Sequence, residues 1–153
     1  RVSWPGRLET ITLSDGNRVL LDAAHNPASM RALVDILKSD PGTERPAILL
    51  GMSGEKNWRE MCRLIAPLAA RVVAVPTSTQ KSQRPEIIAE TCGEFCAAEA
   101  APSVPEGLER LAGEPLVVVA GSIYLVGEVM ERLNVSPQPE SDERDLNEWV
   151  MAT

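Results

Sequence analysis

The stretch "LLDAAHNPASM", residues 20–30, carries an apolar run directly into the start of a helix. The run ends at Asp22. Asn26 and Pro27 then supply a residue type that caps helix N-termini, followed by a proline at the first helical position. A short apolar strand that leads straight into a helix is the repeating unit of parallel α/β proteins. The stretch therefore predicts one strand–helix unit.

The same kind of apolar run occurs four times along the chain, as "VLLDA" from 19, "AILLG" from 47, "VVAV" from 72 and "LVVVAG" from 116. Each run is nearly continuous and shows little alternation, which is typical of parallel strands in a sheet that is covered on both faces. Stretches with apolar residues three and four apart lie between the runs and predict helices. The expected helices cover residues 30–37, 61–68, 87–95, 106–112 and 123–134.

The first strand differs from the others, because "LETITL" at 8–13 alternates apolar and polar residues. The turn "SDGN" at 14–17 joins it to the strand at 19, which predicts an antiparallel hairpin at the edge of the sheet. We therefore predict an α/β fold with a Rossmann-like, open, mostly parallel sheet. Helices should lie on both faces, and an antiparallel edge hairpin should open the sheet.

The length of 153 residues suits one domain, which we assign to residues 1–134. Residues 135–153 hold five acids against one arginine, so they carry −4 of the net charge of −7, and we expect a flexible acidic tail. The negative charge argues against nucleic acid as a partner, and no apolar run reaches the roughly 20 residues of a membrane helix. The chain opens on Arg1 rather than methionine, so we expect a piece of a longer protein.

The three cysteines are odd in number and follow no secretory signal, which favours reduced thiols in a cytoplasmic protein. Cys92 and Cys96 are four apart on a predicted helix, the spacing of half a metal site. The chain has one histidine and no second cysteine pair to complete such a site. We therefore expect buried, inert thiols and no metal ligands.

In an open parallel sheet, ligands bind beyond the carboxyl ends of the strands. Helix N-termini gather at that edge, and their N–H groups attract anions, so we expect a negatively charged ligand there. The polar residues that follow the predicted strands are Asp22, His25, Glu55, Lys56, Asn57, Lys81, Arg84 and Ser122.

Three common catalytic motifs are missing from the sequence. It has no G-x-x-x-x-G-K-[ST] phosphate loop, no G-x-G-x-x-G after a strand and no G-x-S-x-G nucleophile. We therefore do not expect the chain to be a self-sufficient enzyme.

Three motifs, "PGRLE" at 5–9, "LDAAHNP" at 21–27 and "GSIYLVGEV" at 121–129, resemble the carboxy-terminal domain of folylpolyglutamate synthase, also called dihydrofolate synthase. This family is a branch of the Mur ligase superfamily, and the resemblance covers residues 4 to about 134. The second motif alone is typical of the wider superfamily, whereas the other two favour the folate branch. Ala23 replaces the family's usual glycine, and Glu55-Lys56-Asn57 stands where the family often has Asp-Lys-Asp.

The resemblance implies the carboxy-terminal domain of an ATP-dependent ligase that adds L-glutamate to folate or makes dihydrofolate. ATP would phosphorylate a carboxylate of the folate or dihydropteroate substrate to an acyl phosphate, and the amine of L-glutamate would attack it. The P-loop, most of the folate site and most Mg²⁺ ligands would belong to an amino-terminal P-loop domain of the same chain. Residues 1–134 would close over ATP and help bind glutamate, so the fragment alone should be inactive.

The resemblance also assigns roles to five residues. It implies a contact with the ATP phosphates for Arg7 and with the ATP ribose for Asp22. It implies a catalytic position facing the γ-phosphate and the glutamate for His25, and binding of the incoming amino acid for Lys56 and Ser122. Each residue also has a structural alternative. Arg7 could be a surface residue in a turn, Asp22 a turn cap and His25 a hydrogen-bonding residue that fixes its loop. Lys56 could be a solvated lysine and Ser122 a helix cap.

Other functions stay open at this point. A Mur-type ligase acting on cell-wall precursors would share the fold, and a non-catalytic regulatory α/β domain would bind nothing. A phospho-receiver is disfavoured because the run at 47–51 ends in Gly51-Met52 rather than in an acceptor aspartate. Tyr124 and Trp4 are expected to pack rather than bind.

Overall fold

The computed structural model describes residues 9–39, 45–55 and 57–134. They form six strands and five helices, with a 3₁₀ turn at Ala66–Leu68 after the second helix. In chain order the elements are β1 (Glu9–Thr12), β2 (Arg18–Leu21), α1 (Pro27–Ser39), β3 (Ala47–Leu50), α2 (Trp58–Ile65), β4 (Arg71–Ala74), α3 (Pro85–Cys92), β5 (Ala97–Ala100), α4 (Val104–Arg110), β6 (Leu116–Ala120) and α5 (Ile123–Arg132).

The six strands form one sheet in the order β1-β2-β6-β3-β4-β5. Only β1 and β2 pair antiparallel; the other four pairings are parallel. The turn between β1 and β2 contains Gly16 at φ +90°, a left-handed conformation that glycine adopts without strain. The mostly parallel sheet and its antiparallel edge hairpin confirm the predicted fold.

The last strand in sequence, β6, lies between β2 and β3 and pairs with both. Two apolar clusters cover the sheet, one on each face. Side chains along β3 alternate between them, since Ile48 and Leu50 point towards α1, α2 and α3 whereas Leu49 points towards α4 and α5. This double coverage explains the continuous apolar runs of β3 and β6, because neither side of these two strands meets water.

The sequence did not predict β5, whose residues are "AAEA". Alanine and glutamate are poor strand formers, and as an edge strand β5 buries none of its four residues. Its position depends on β4 instead: the Arg71 guanidinium donates to Glu99 over 3.0 Å.

The predicted helix over 87–95 is too long, because α3 ends at Cys92. The N–H of Gly93 donates to the carbonyl of Ala89 and closes the last turn. Phe95 follows in a turn and is 42% exposed, so it does not belong to the buried apolar face of a helix.

All three cysteines are free; Cys62 and Cys92 are buried, and Cys96 is half-buried. A hydrogen bond with Cys62, and then burial, raise the pKa of Cys92. Burial likewise raises the pKa of Cys96. Thiols that stay protonated are poor nucleophiles and poor metal ligands.

Within the described ranges, no three His, Cys, Asp or Glu side chains are grouped to hold a metal ion. Nor does any helix in those ranges have both the length and the apolar character needed to cross a bilayer.

Candidate functional site

The insertion of β6 between β2 and β3 brings loops that are distant in sequence to one place. The N–H of Gly121, just after β6, donates to the carbonyl of Ala24, just after β2, over 2.9 Å. On the other side, the N–H of Gly51 donates to the carbonyl of Ala120 over 3.4 Å. The chain leaves β2 and β3 for helices on one face of the sheet and leaves β6 for α5 on the other. Such a switch point in the sheet is where α/β proteins bind ligands.

A close approach of two glycines builds this junction. Gly121 has φ +109°, and a Cβ at that position would lie 2.3 Å from the carbonyl oxygen of Gly51. A side chain at residue 121 would therefore meet both backbone strain and a steric clash. Glycine lets the chain turn from β6 into Ser122 and α5 directly above the end of β3.

A cleft of about 610 Å³ opens at this edge, a size typical of sites for small ligands. The loops after β2, β3, β4 and β6 contribute most of its walls. Its lining residues are His25, Met52, Ser53, Glu55, Met61, Thr77, Thr79, Gln80, Lys81, Gly121, Ser122, Ile123 and Tyr124. Two of the five predicted site residues, His25 and Ser122, are among them.

Asp22 is 8% exposed and does not line the cleft. Its Oδ1 accepts the N–H of Ala24 over 2.8 Å, which holds the turn that leads to His25. The structural alternative for Asp22 is therefore present in the fold. Its predicted contact with the ATP ribose stays a prediction.

His25 lines the cleft with its ring fixed at one nitrogen. Nδ1 lies 3.0 Å from the carbonyl oxygen of Ala23. A carbonyl oxygen only accepts hydrogen bonds, so Nδ1 is the donor in this contact, and a ring that carries one proton then offers Nε2 as an acceptor. Within the described part of the chain, no hydrogen bond joins Nε2 to another residue. His25 can therefore accept a hydrogen bond from a donor group of a ligand in the cleft.

Ser122 caps α5, as the sequence predicted. Its Oγ accepts the N–H groups of Tyr124 over 3.1 Å and Leu125 over 3.5 Å. A hydroxyl also has one proton to donate, and none of the described residues accepts it. Ser122 can therefore cap the helix and donate to a ligand oxygen at the same time.

Arg7 and Lys56 lie outside the described residues, and their roles stay predictions. Lys81 lies at the mouth of the cleft, where its Nζ is 3.2 Å from a carboxylate oxygen of Glu55 and both side chains are mostly exposed. Arg84 immediately precedes α3 and does not line the cleft. The charges of Lys81 and Glu55 offset each other. Any attraction for anions in the described part of the site therefore depends on N–H groups and hydroxyls.

Several lining residues were missed by the sequence reasoning. In the loop after β4, the hydroxyls of Thr77 and Thr79 lie 3.2 Å apart. The sequence singled out the two cations of that loop, because neutral hydroxyls give no charge signal. Tyr124 is 48% exposed at the rim of the cleft, although it was expected to pack. The rule of strand ends could have found the threonines, since it already located their loop.

Comparisons with known proteins place this geometry in context. Residues 6–123 match the family model described as "Mur ligase, glutamate ligase domain". The chain is similar to a folylpolyglutamate synthase of Lacticaseibacillus casei, with 28% identity over 134 residues that cover 85% of this chain and 30% of that protein. A UDP-N-acetylmuramyl-tripeptide synthetase of Lactobacillus delbrueckii is 38% identical over 55 residues, 36% of this chain and 11% of that protein.

Solved structures show the same fold. E. coli FolC in complex with DHPP and ADP superposes with a TM-score of 0.75 and 25% identity, covering 85% of this chain and 31% of that one. A folylpolyglutamate synthase from Thermotoga maritima gives a TM-score of 0.73 and 25% identity over 93% of this chain and 32% of that one. The chain thus spans about a third of the length of the folylpolyglutamate synthases it matches.

Proposed function

Since the chain belongs to the Mur ligase family through its glutamate ligase domain, we propose that it is the carboxy-terminal domain of an ATP-dependent ligase that adds L-glutamate to folate. The observation that carries the proposal is the cleft, which is lined by both His25 and Ser122 from loops almost a hundred residues apart in sequence. The fold that E. coli FolC shares with this chain, and the ADP bound to that protein, support a nucleotide at this edge.

The proposed reaction has two steps. A carboxylate of the folate or dihydropteroate substrate takes the γ-phosphoryl group of ATP and becomes an acyl phosphate, and ADP leaves. The amine of L-glutamate then attacks the acyl carbon, inorganic phosphate leaves, and the amine loses a proton as the amide forms. The chain spans about a third of the length of the folylpolyglutamate synthases it matches. We assign the phosphate cradle and Mg²⁺ to an amino-terminal P-loop domain in the rest of such an enzyme.

The cleft offers complementary partners for the incoming amino acid. The hydroxyl of Ser122 has a proton to donate, which suits a carboxylate oxygen of L-glutamate. The Nε2 of His25 accepts, which suits an N–H of the attacking amine. Lys56 would add a positive charge for a carboxylate, and Arg7 and Asp22 would contact ATP.

This domain would then contribute by positioning the reactants and by excluding water from them. Closing the domain over the P-loop domain would bring amine and acyl phosphate together and keep water from the acyl phosphate. Orientation of two reactants can lower a barrier by several kcal/mol without any proton transfer by the protein. We place the enzyme in the cytoplasm, where its nucleotide and folate substrates are available.

A second candidate is a Mur-type ligase that acts on a cell-wall precursor. It is favoured by the 38% identity to the UDP-N-acetylmuramyl-tripeptide synthetase, which exceeds the 28% identity to the folylpolyglutamate synthase. The folate function is supported over a longer stretch, since the folylpolyglutamate synthase match covers 85% of the chain against 36%.

The test is ligation of labelled L-glutamate by the enzyme that carries this domain together with its P-loop domain, in ATP and Mg²⁺. Reduced folate, dihydropteroate and a UDP-linked muramyl peptide are offered in parallel. We expect glutamate on a folate substrate, and a rate loss of about 10- to 100-fold in Ser122→Ala, as for one lost charge-assisted hydrogen bond. Ser103→Ala, which removes the cap of α4, is the matched control and should keep the wild-type rate.

Transfer to the UDP-linked peptide alone would replace the folate proposal with the cell-wall one. Absence of transfer to folate and to dihydropteroate, with a normal thermal melt, would reject the folate proposal.

A further inference from the structure

The loop that presents His25 is held by one side chain that the sequence reasoning did not single out. The hydroxyl of Ser29, in the first turn of α1, accepts the backbone N–H of His25 over 3.0 Å and that of Asn26 over 3.2 Å. Its own proton lies between two acceptors of Asn26, the side-chain Oδ1 at 2.9 Å and the carbonyl at 3.1 Å. Ser29 thus reaches back over the loop from the helix that follows it.

These contacts use the full hydrogen-bonding capacity of the hydroxyl. A serine hydroxyl has one proton and two lone pairs, and all three are engaged between residues 25 and 29. Ser29 therefore has nothing left for a ligand, and it is absent from the lining of the cleft. Any effect on the reaction must pass through the residues it holds.

The cap of α1 does not depend on this hydroxyl. The Oδ1 of Asn26 accepts the backbone N–H of Ser29 over 2.8 Å, a contact that an alanine at position 29 would keep. Alanine would lose the contacts of the hydroxyl with the N–H groups of His25 and Asn26, together with its own donation to Asn26. Capping alone therefore does not account for the hydroxyl.

The geometry points to Ser29 as a positioning residue, which fixes the backbone of His25 so that Nδ1 donates to the carbonyl of Ala23 and Nε2 remains the acceptor in the cleft. The inference rests on the proposed function for its catalytic consequence. An acceptor at Nε2 suits an N–H of the incoming amine, whereas the other neutral tautomer would present a donor there. Losing the hydroxyl frees the loop, and the ring then samples both tautomers.

The single histidine of the chain makes the test direct. Two-bond ¹H–¹⁵N correlation spectra of the 153-residue chain, at a pH where the ring is neutral, show which nitrogen carries the proton. We expect a protonated Nδ1 in wild type, a mixture of tautomers in Ser29→Ala and the wild-type pattern in Ser29→Thr, which keeps a hydroxyl. Ser103→Ala, which removes the cap hydroxyl of α4, should leave the spectrum unchanged.

Kinetics of the enzyme with its P-loop domain provide the second readout. We expect kcat to fall about 10- to 100-fold in Ser29→Ala with the KM for ATP unchanged, and to recover in Ser29→Thr. A proton on Nε2 in wild type, or a Ser29→Ala variant with wild-type spectrum and kcat and only a lower Tm, would overturn the inference. An inactive wild-type enzyme would instead count against the proposed function, and the spectra would still decide the role of Ser29.

Discussion

Replacing Gly121 with alanine tests the junction on which the cleft depends. Gly121 has φ +109°, and an added Cβ would lie 2.3 Å from the carbonyl oxygen of Gly51 and 2.8 Å from Cγ of Met52. The nearest of these atoms is backbone at the end of the central strand β3, so no side-chain rotation can relieve the contact. The N–H of Gly121 also donates to the carbonyl of Ala24 and so holds the loop that leads to His25.

Two independent costs follow from this geometry. Holding a non-glycine residue at this φ costs about 1–3 kcal/mol. Forcing an extra carbon into a packed site costs about 1–3 kcal/mol more. Alanine also lowers the conformational entropy of the unfolded chain, which returns about 0.4–1 kcal/mol. We therefore expect Gly121→Ala to lose about 2–5 kcal/mol of unfolding free energy, a large part of the stability of a small domain.

Gly113→Ala is the matched control, because Gly113 has a similar φ of +89° but nothing within 4 Å of its added Cβ. It should show the strain alone, so urea denaturation followed by circular dichroism should separate the two variants by about 1–3 kcal/mol. Equal losses in both variants would refute the steric part of the reasoning. A Gly121→Ala protein of wild-type stability would refute all of it.

Three further predictions concern stability. Gly107→Ala should cost about 1 kcal/mol of unfolding free energy by urea denaturation, because the added Cβ would lie 2.6 Å and 2.9 Å from core side-chain carbons. Gly127→Ala, whose Cβ would have nothing within 4 Å, should instead raise the unfolding free energy by about 0.5–1 kcal/mol. The Cys92 thiol stays protonated in the fold but ionises in the unfolded chain above about pH 8.5. Above that pH the unfolding free energy of the wild type should therefore decline by up to about 1.4 kcal/mol per pH unit, and that of Cys92→Ala should decline less steeply. Arg110→Ala should cost about 1–2 kcal/mol of stability in a thermal melt, because the Arg110 guanidinium donates to the carbonyl of Ala100 over 2.7 Å and to the carboxylate of Glu106 over 2.6 Å. Arg84→Ala, which removes one exposed ion pair at 3.8 Å, should cost under about 0.5 kcal/mol.

The parts of the fold that the sequence predicted are those with a strong local signal. Buried parallel strands need apolar residues on both faces, so the runs at 47–50 and 116–120 were visible without a structure. The cap residue Ser122 likewise marks the start of α5 by its chemistry. By contrast, β5 carries alanines and one glutamate, and only its pairing with β4 makes it a strand.

The candidate site, like the fold, was predicted only in part. The rule of strand ends located the correct edge, and His25 and Ser122 do line one cleft there. Charge located only part of the walls, since Lys81 and Glu55 line the cleft as a pair but the neutral threonines of the loop after β4 gave no charge signal. An exposed aromatic such as Tyr124 could not be told from a buried one, because both follow from the same apolar spacing on α5.

The order of strands explains why the edge was predictable and its centre was not. Parallel strands end at the same edge whatever their order, so every strand-end loop was a candidate. Which loops touch depends on β6, which separates β2 from β3 and pairs with both. No local pattern encodes that insertion; it needs a chain that can turn at Gly121 against the carbonyl of Gly51. The neighbourhood of His25 and Ser122 is therefore a property of the assembled sheet, and a substitution at Gly121 should disturb it without touching either residue.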